Sequence, residues 1–272
     1  MSTSFRDFEH AGWDDLGVVT SYHRHISELT TGCIAELLRL ARLKPGDRAL
    51  DVACGAGYVA AAASKQGAET IGLDFSATQV QLAEQTYPGV RFIEGDAEAL
   101  PFPDRNFDVV FNAFGLPHVP HPDKVVAEAY RVLKPGGRFA YASWCKPTKC
   151  VAFSMVYDAI RTCGALDVGL PPGPNFFSYG DPKFATEMLG QAGFVDMTTS
   201  EVPLVWRVSS PDEIIDTILS STVRAAAALR GQSAEALAAI KHYLRERIAS
   251  FEKGGSYEVP APALVVVACK LQ

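Results

Sequence analysis

The segment from Arg48 to Gly57 constrains the fold more than any other stretch of the chain. Arg48-Ala-Leu-Asp-Val-Ala-Cys54 is an apolar run of strand length, and it leads without a spacer into Gly55-Ala-Gly57 and an alanine-rich helix from Tyr58 to Gln66. A strand that turns into a helix through closely spaced glycines opens a parallel βαβ unit. The alternation continues downstream. Glu69-Thr-Ile-Gly-Leu-Asp74 reads as a second strand, and Ser76 caps a helix that follows it through Ala83. Val90-Arg-Phe-Ile-Glu-Gly-Asp96 reads as a third strand and Phe107-Asp-Val-Val-Phe-Asn112 as a fourth. A helix over 122–133 ends at Lys134-Pro-Gly-Gly137, and Arg138 to Trp144 makes a fifth strand. Each strand is nearly continuously apolar, as a sheet covered on both faces requires. The predicted class is α/β, a Rossmann-like, doubly wound, mostly parallel sheet.

Upstream, Ile26, Leu29, Ile34, Leu37, Leu38 and Leu40 recur at helical spacing and predict one helix over 22–43, stopped by Lys44-Pro-Gly-Asp47. After Trp144 the alternation breaks. Residues 145–180 hold a helix from Val151 to Cys163 and the loop Leu170-Pro-Pro-Gly-Pro-Asn-Phe-Phe-Ser-Tyr179. A helix near 181–192 and a strand within 194–208 restore the pattern; 211–252 read as mainly helical, and Ala263 to Cys269 as an edge or penultimate strand. The organisation expected is a single domain over 1–272, with an N-terminal helical segment over 1–43 and helical insertions at 145–180 and 211–252.

Composition narrows the function. Lys and Arg number 25 against 31 Asp and Glu, a formal charge of −6, which argues against a nucleic-acid partner, since phosphate neutralisation needs a basic face. There is neither a polybasic anchor nor an apolar run of about 18 residues, so no membrane partner is expected. The N-terminal residues are too polar for a secretory leader. The six cysteines form no C-x-x-C pair and none of the spacings of a zinc site, so no metal is expected and the thiols read as reduced, pointing to the cytoplasm.

In an open parallel sheet, ligands bind beyond the carboxyl ends of the strands. Those ends carry Asp51 and the glycines Gly55 and Gly57 after strand one, Asp74 after strand two, and Gly95-Asp96-Ala97 after strand three. The glycines let a backbone approach a ligand closely. Asp74 suits the two hydroxyls of a ribose, and Asp96 an adenine amino group. Gly55-Ala-Gly57-Tyr-Val-Ala60 also matches G-x-G-x-x-A with an acid downstream, the loose signature of a dinucleotide site. Asp51, however, would repel a pyrophosphate and attract a cation. A cationic, adenosine-bearing cofactor without phosphate, S-adenosylmethionine, fits better, with S-adenosylhomocysteine as product.

Here the chain resembles class I S-adenosylmethionine-dependent methyltransferases, and among them the small-molecule group that includes the ubiquinone/menaquinone C-methyltransferases. The likeness rests on Leu50-Asp-Val-Ala-Cys-Gly-Ala-Gly57, Gly72-Leu-Asp-Phe-Ser76, Glu94-Gly-Asp-Ala-Glu-Ala-Leu-Pro-Phe-Pro103, Phe107-Asp-Val-Val110 and Arg131-Val-Leu-Lys-Pro-Gly-Gly-Arg138, in the family's order. Phe114 to Asp123 is similar to that group's loop after strand four. The resemblance implies a seven-stranded sheet whose last strand is antiparallel. It implies backbone contact near Asn112 with the methionine end of the cofactor, and an N-terminal lid in which Tyr22 meets the methionine carboxylate. Ala53 stands where the family usually has Gly. Phe75 either packs on the adenosine or fills the core. His118 is a candidate general base for an acceptor that must lose a proton; the alternative is a loop histidine that shapes the pocket. The 145–180 insertion, placed just after strand five, is expected to form part of the pocket for an apolar or aromatic small-molecule acceptor, with at least one of Phe176 and Phe177 reaching it. A nicotinamide-dependent oxidoreductase and a non-catalytic nucleoside-binding module are the competing readings.

Overall fold

The structure is a computed structural model and describes residues 3–271. Along the chain run α1 (Phe5–Trp13), α2 (Leu16–His25), α3 (Ser27–Thr31), α4 (Ile34–Leu40), β1 (Arg48–Val52), α5 (Tyr58–Lys65), β2 (Glu69–Asp74), α6 (Ala77–Thr86), β3 (Arg91–Glu94) and β4 (Phe107–Ala113). There follow α7 (Pro122–Val132), β5 (Leu133–Trp144), α8 (Val151–Cys163), α9 (Pro182–Gln191), β6 (Phe194–Val202) and β7 (Val205–Val208). The last elements are α10 (Pro211–Ser221), α11 (Arg224–Arg230), α12 (Ala234–Ala249), β8 (Glu252–Lys253), β9 (Ser256–Pro260) and β10 (Ala263–Lys270). They fall into a sheet unit, residues 30–145, 173–202 and 263–271, and a helical unit, residues 3–29, 146–172 and 203–262.

The sheet unit is built on seven strands in the order β3-β2-β1-β4-β5-β10-β6. β1 to β5 pair in parallel, and β10 runs antiparallel between β5 and β6. This is the Rossmann-like sheet, mostly parallel with an antiparallel last strand, that the sequence and its resemblance led us to expect. Ala49, Leu50, Val52, Val109, Val110 and Phe111 are sealed on both faces of its centre. Each Leu, Val or Phe so buried contributes roughly 1.5–3 kcal/mol. Strand order reverses between β1 and β4, and their carboxyl ends therefore border the crevice in which such sheets take ligands.

Local chemistry fixes the ends of the helices. Ser76 accepts the N–H of Gln79 at the start of α6, and Pro122 opens α7, where its missing N–H is not needed. The other end of α7 is closed from a distance: Lys270 Nζ, on β10, donates to the carbonyls of Tyr130 at 2.6 Å and Leu133 at 2.8 Å. A cation at a helix carboxyl end also meets the negative pole of its dipole.

The helical unit has its own interior. α10 packs on α2 and α12 on α8. A three-stranded sheet, β7-β9-β8, adds Trp206, whose ring lies 5.5 Å from Phe153 of α8. Among the described residues, no helix is long and apolar enough to cross a membrane.

Three sequence expectations need correction. The single helix over 22–43 is α2, α3 and α4, because Thr30-Thr31-Gly32 combines β-branched residues with a glycine, and these lower helix propensity. The part from Thr30 onward belongs with the sheet unit, where α4 packs on β5, β6 and β10. The stretch 194–208 is two strands in two different sheets, and residues 256–260 form a strand the periodicity did not reveal. Its signal is Gly254-Gly255, both left-handed at φ 62° and 85°, a dipeptide that suits a tight hairpin turn.

Gly57 is the joint on which this packing closes. It is left-handed at φ +82°, and a Cβ there would stand 2.5 Å from the Phe92 ring of β3. Gly57→Ala is expected to lower the unfolding free energy by about 2–4 kcal/mol, the sum of a left-handed alanine and an overpacked core. Urea denaturation checks this, and a loss under about 1 kcal/mol would show that the joint is loose.

Candidate active site

The crevice at the strand-order reversal is lined by the turns that follow β1, β2, β3 and β4. After β1 the backbone is left-handed at alternate residues: Ala53 at φ 54°, Gly55 at 52° and Gly57 at 82°. Only glycine adopts this freely. Ala53 carries a strain of about 1–2 kcal/mol and leaves little room opposite: a Cβ at Gly115 would lie 2.7 Å from Ala53 Cβ. At Gly55, by contrast, a Cβ would project into open space, with nothing nearer than Gln79 Oε1 at 3.9 Å. The backbone at Gly55 thus forms an open cradle at the carboxyl end of β1.

Asp74 closes one side of the cradle. Its Oδ2 accepts the N–H of Gly55 at 2.8 Å and its Oδ1 that of Ser76 at 3.0 Å. A carboxylate has about four acceptor positions, so the group is anchored while keeping capacity for hydroxyls. Burial raises its pKa, while N–H bonds from Ser76, Gly55 and Phe75 and the charge of His118 pull it back. Asp51 lies on the neighbouring strand, 1% exposed, and its Oδ2 accepts the Ala60 N–H at 3.0 Å, tying α5 to β1. Burial pushes its pKa up to about 8, opposed by the Ala60 bond and reinforced by the charge of Asp74. The Cys54 thiol is pushed far up by burial and by both carboxylates, which leaves it a neutral apolar contact rather than a nucleophile.

Farther along the rim, Asp96 is half-buried, and its Oδ1 accepts the Glu98 N–H at 2.8 Å. Ala97 is buried and Phe75 half-buried. Asn112 is sealed inside β4 and fully engaged: Nδ2 donates to the Val52 carbonyl at 2.9 Å, and Oδ1 accepts from Gly115 at 3.2 Å and Leu116 at 3.1 Å. Its side chain thus stitches the end of β1 to the loop after β4. The loop leads to a short helical turn, Leu116–His118. The His118 ring lies 6.3 Å from Phe176, which in turn lies 5.1 Å from Phe177.

Of the residues singled out in the sequence, Asp51, Ala53, Gly55, Gly57, Asp74, Phe75, Asp96, Ala97, Asn112 and His118 all fall in the sheet unit, at or just beyond the carboxyl ends of β1 to β4. Tyr22 falls on α2 of the helical unit, where its ring meets Trp13 edge-on at 5.4 Å. Phe176 and Phe177 were read as part of an insertion, but belong with the sheet unit. Sequence reasoning missed Phe114, a bulky residue held left-handed at φ 60°. Its N–H donates to Ala142 O at 2.8 Å, and its ring lies 4.3 Å from Trp144. Strain of this kind persists where surrounding contacts over-determine it. No residue pattern announces it, because phenylalanine gives no conformational signal. Among the described residues, no cluster of His, Cys, Asp and Glu could hold a metal ion.

Comparison with known proteins agrees with this geometry. A family described as a methyltransferase domain matches residues 50–141. The chain is similar to the demethylmenaquinone methyltransferase of Lactobacillus johnsonii, 40% identical over 185 residues that cover 60% of this chain and 74% of that protein. It is 43% identical to the demethylmenaquinone methyltransferase of Renibacterium salmoninarum over 104 residues, 38% of this chain and 44% of the relative. With 54% of a third relative covered, that of Lysinibacillus sphaericus, the chain spans about half the length of several curated relatives it matches. Among solved structures, the cyclase SpnF superposes with a TM-score of 0.64 at 19% identity, covering 100% of this chain and 98% of that one. Phosphoethanolamine N-methyltransferase 2 of Haemonchus contortus, in complex with S-adenosylhomocysteine, gives 0.62 at 19% identity, covering 99% of this chain and 61% of that one. These two structures share the fold.

The paired buried carboxylates carry a pH signature. The native pKa of Asp51, about 8, lies far above that of an ordinary aspartate, about 4, so between those values the folded chain holds a proton that the unfolded chain has released. Its contribution to stability is complete below pH 4 and falls as pH rises toward 8, with a slope of up to about 1.4 kcal/mol per pH unit. Asp74, raised in the same direction, adds to the trend. Urea midpoints at pH 5 and pH 8 are expected to differ in favour of pH 5, and the difference should shrink in Asp51→Asn. Equal midpoints in the wild-type chain would mean that Asp51 is ionised throughout.

Proposed function

Since the chain belongs to the class I S-adenosylmethionine-dependent methyltransferases, we propose that it transfers a methyl group from S-adenosylmethionine to a small-molecule acceptor. When bound, the cofactor supplies a sulfonium-activated methyl group, so the protein's own contribution is alignment, exclusion of water and, where the acceptor needs it, removal of a proton. The observation that carries this reading is the Asp74 carboxylate. It is anchored by the N–H groups of Gly55 and Ser76 with acceptor capacity left over, beside a glycine whose open face admits a ligand.

Asp74 would accept the ribose hydroxyls, Asp96 and Ala97 would flank the adenine, and Phe75 would cover its face. Asp51 would favour a positively charged ligand, and its proton would leave as the cation arrives. Ala53, Gly55 and Gly57 would supply backbone contacts, and Asn112 would hold the end of the strand that leads into them. His118, the candidate base, stands at the same rim with Phe176 beside it. The curated relatives are named for demethylmenaquinone, so an apolar or aromatic quinol-type acceptor is the first to test. We assign the choice of acceptor to the 173–180 loop of the sheet unit, which carries Phe176 and Phe177 and none of the cofactor candidates.

The test combines binding and turnover. Asp74→Ala removes charge-assisted hydrogen bonds of about 1.5–3 kcal/mol, so affinity for S-adenosylhomocysteine is expected to fall by roughly ten- to hundredfold. Formation of S-adenosylhomocysteine from S-adenosylmethionine should require an added acceptor, with short-chain demethylmenaquinol as the first probe. Unchanged affinity in a folded Asp74→Ala variant would remove the ribose from Asp74 and overturn the arrangement.

A further inference from the structure

Asn112 and Tyr141 are register partners across the parallel pair β4 and β5, so their side chains rise from one face of the sheet. Each pins a loop over that face. Asn112 Oδ1 accepts the N–H groups of Gly115 and Leu116, which holds the turn that carries His118. Tyr141 Oη donates to the carbonyl of Tyr179 at 3.1 Å, which holds the 173–180 loop. The two loops meet where the His118 and Phe176 rings stand 6.3 Å apart. Ser143 follows Tyr141 by two residues on β5, so it points to the same face, one step nearer the carboxyl end. Its neighbours along the strand carry the same two loops. The Ala142 carbonyl accepts the Phe114 N–H at 2.8 Å, and Gly180 packs so closely on Trp144 that a Cβ would stand 1.7 Å from the Trp144 carbonyl oxygen. Beneath this junction Ser143 is 1% exposed, and its Oγ makes no hydrogen bond. A buried hydroxyl without a partner calls for an explanation.

We infer that Ser143 is an acceptor-binding residue whose hydroxyl bonds to an oxygen on the acceptor's ring; the inference rests on the proposed methyl transfer and narrows its substrate class to oxygenated aromatic molecules. The loops that meet above Ser143 carry Phe114, Phe176 and Phe177. Aromatic walls hold a flat ring but leave its orientation open, and a single polar group fixes it. The other polar side chains of this face are committed, since Asn112 and Tyr141 hold the loops. A serine hydroxyl both donates and accepts, so it serves a phenol, a quinol or a carbonyl oxygen alike. The cover over it is two loops, each fastened at a few points, and they part to admit the acceptor.

Steady-state kinetics with short-chain demethylmenaquinol, together with calorimetry of S-adenosylhomocysteine, test this. Ser143→Ala is expected to raise KM for the quinol by about five- to thirtyfold, with kcat changed less than about threefold. Affinity for S-adenosylhomocysteine should stay within about twofold of wild type, and thermal stability should be unchanged or raised because the buried hydroxyl is gone. Should the alanine variant fail to fold, Ser143→Cys, whose S–H is a weak donor, carries the same expectation in smaller measure. Quinol kinetics in the alanine variant indistinguishable from wild type would overturn the inference while leaving the cofactor proposal standing. A matching loss of S-adenosylhomocysteine affinity would make Ser143 a support of the sheet and also overturn it. A wild-type chain that binds S-adenosylhomocysteine but leaves the quinol unmethylated would overturn this inference alone. One that binds no S-adenosylhomocysteine would overturn the cofactor proposal, and this inference with it.

Discussion

Asp74 ties three pieces of chain together. One carboxylate oxygen receives the Gly55 N–H from the loop after β1, the other the Ser76 N–H at the start of α6, and the residue itself ends β2. Each bond joins a carboxyl oxygen to a backbone donor, so neither loop can move without losing a buried hydrogen bond. Holding Gly55 fixes the open backbone face of the loop after β1. One buried carboxyl group thus ties the loop after β1 to the start of α6.

A second clamp works across the reversal of strand order. Asn112 joins the end of β1 to the loop after β4. On either side of it, Ala53 and Phe114 sit left-handed, at φ 54° and 60°. Neither conformation would survive in a free loop, where alternatives worth a few kcal/mol are within reach. The sheet provides the rigidity: β1 and β4 are sealed on both faces, and Trp144 backs Phe114. Strain is concentrated where the turns must approach a ligand, and the energy that holds it comes from packing elsewhere.

Much of this was legible in the sequence, for identifiable reasons. Strands buried on both faces are written as continuous apolar runs, and β2 and β4 could be read to within a residue of their ends, β1 to within two. Asp51, Asp74 and Asp96 stand out because an acid at the end of an apolar strand is costly to bury without partners. Other features were silent. The break of the N-terminal helix depends on Thr30-Thr31-Gly32, whose weak preferences are outvoted by strong apolar spacing around them. The grouping of 3–29, 146–172 and 203–262 into one unit is a matter of contacts between distant segments, which periodicity does not encode. The engagement of Asn112 and the posture of Phe114 depend on neighbours contributed by other strands.

The most direct measurement is a calorimetric comparison of S-adenosylmethionine with reduced nicotinamide adenine dinucleotide on the wild-type chain. Both ligands carry an adenosine, so both satisfy Asp74 and Asp96 on paper. They differ in charge at the point where Asp51 and Asp74 lie side by side, one bringing a cation and the other a pyrophosphate. One-to-one binding of S-adenosylmethionine is expected, with the dinucleotide at least about a hundredfold weaker, a gap of about 2.7 kcal/mol. Dinucleotide binding as tight as that of S-adenosylmethionine would contradict the assignment of the buried carboxylates to a cationic ligand.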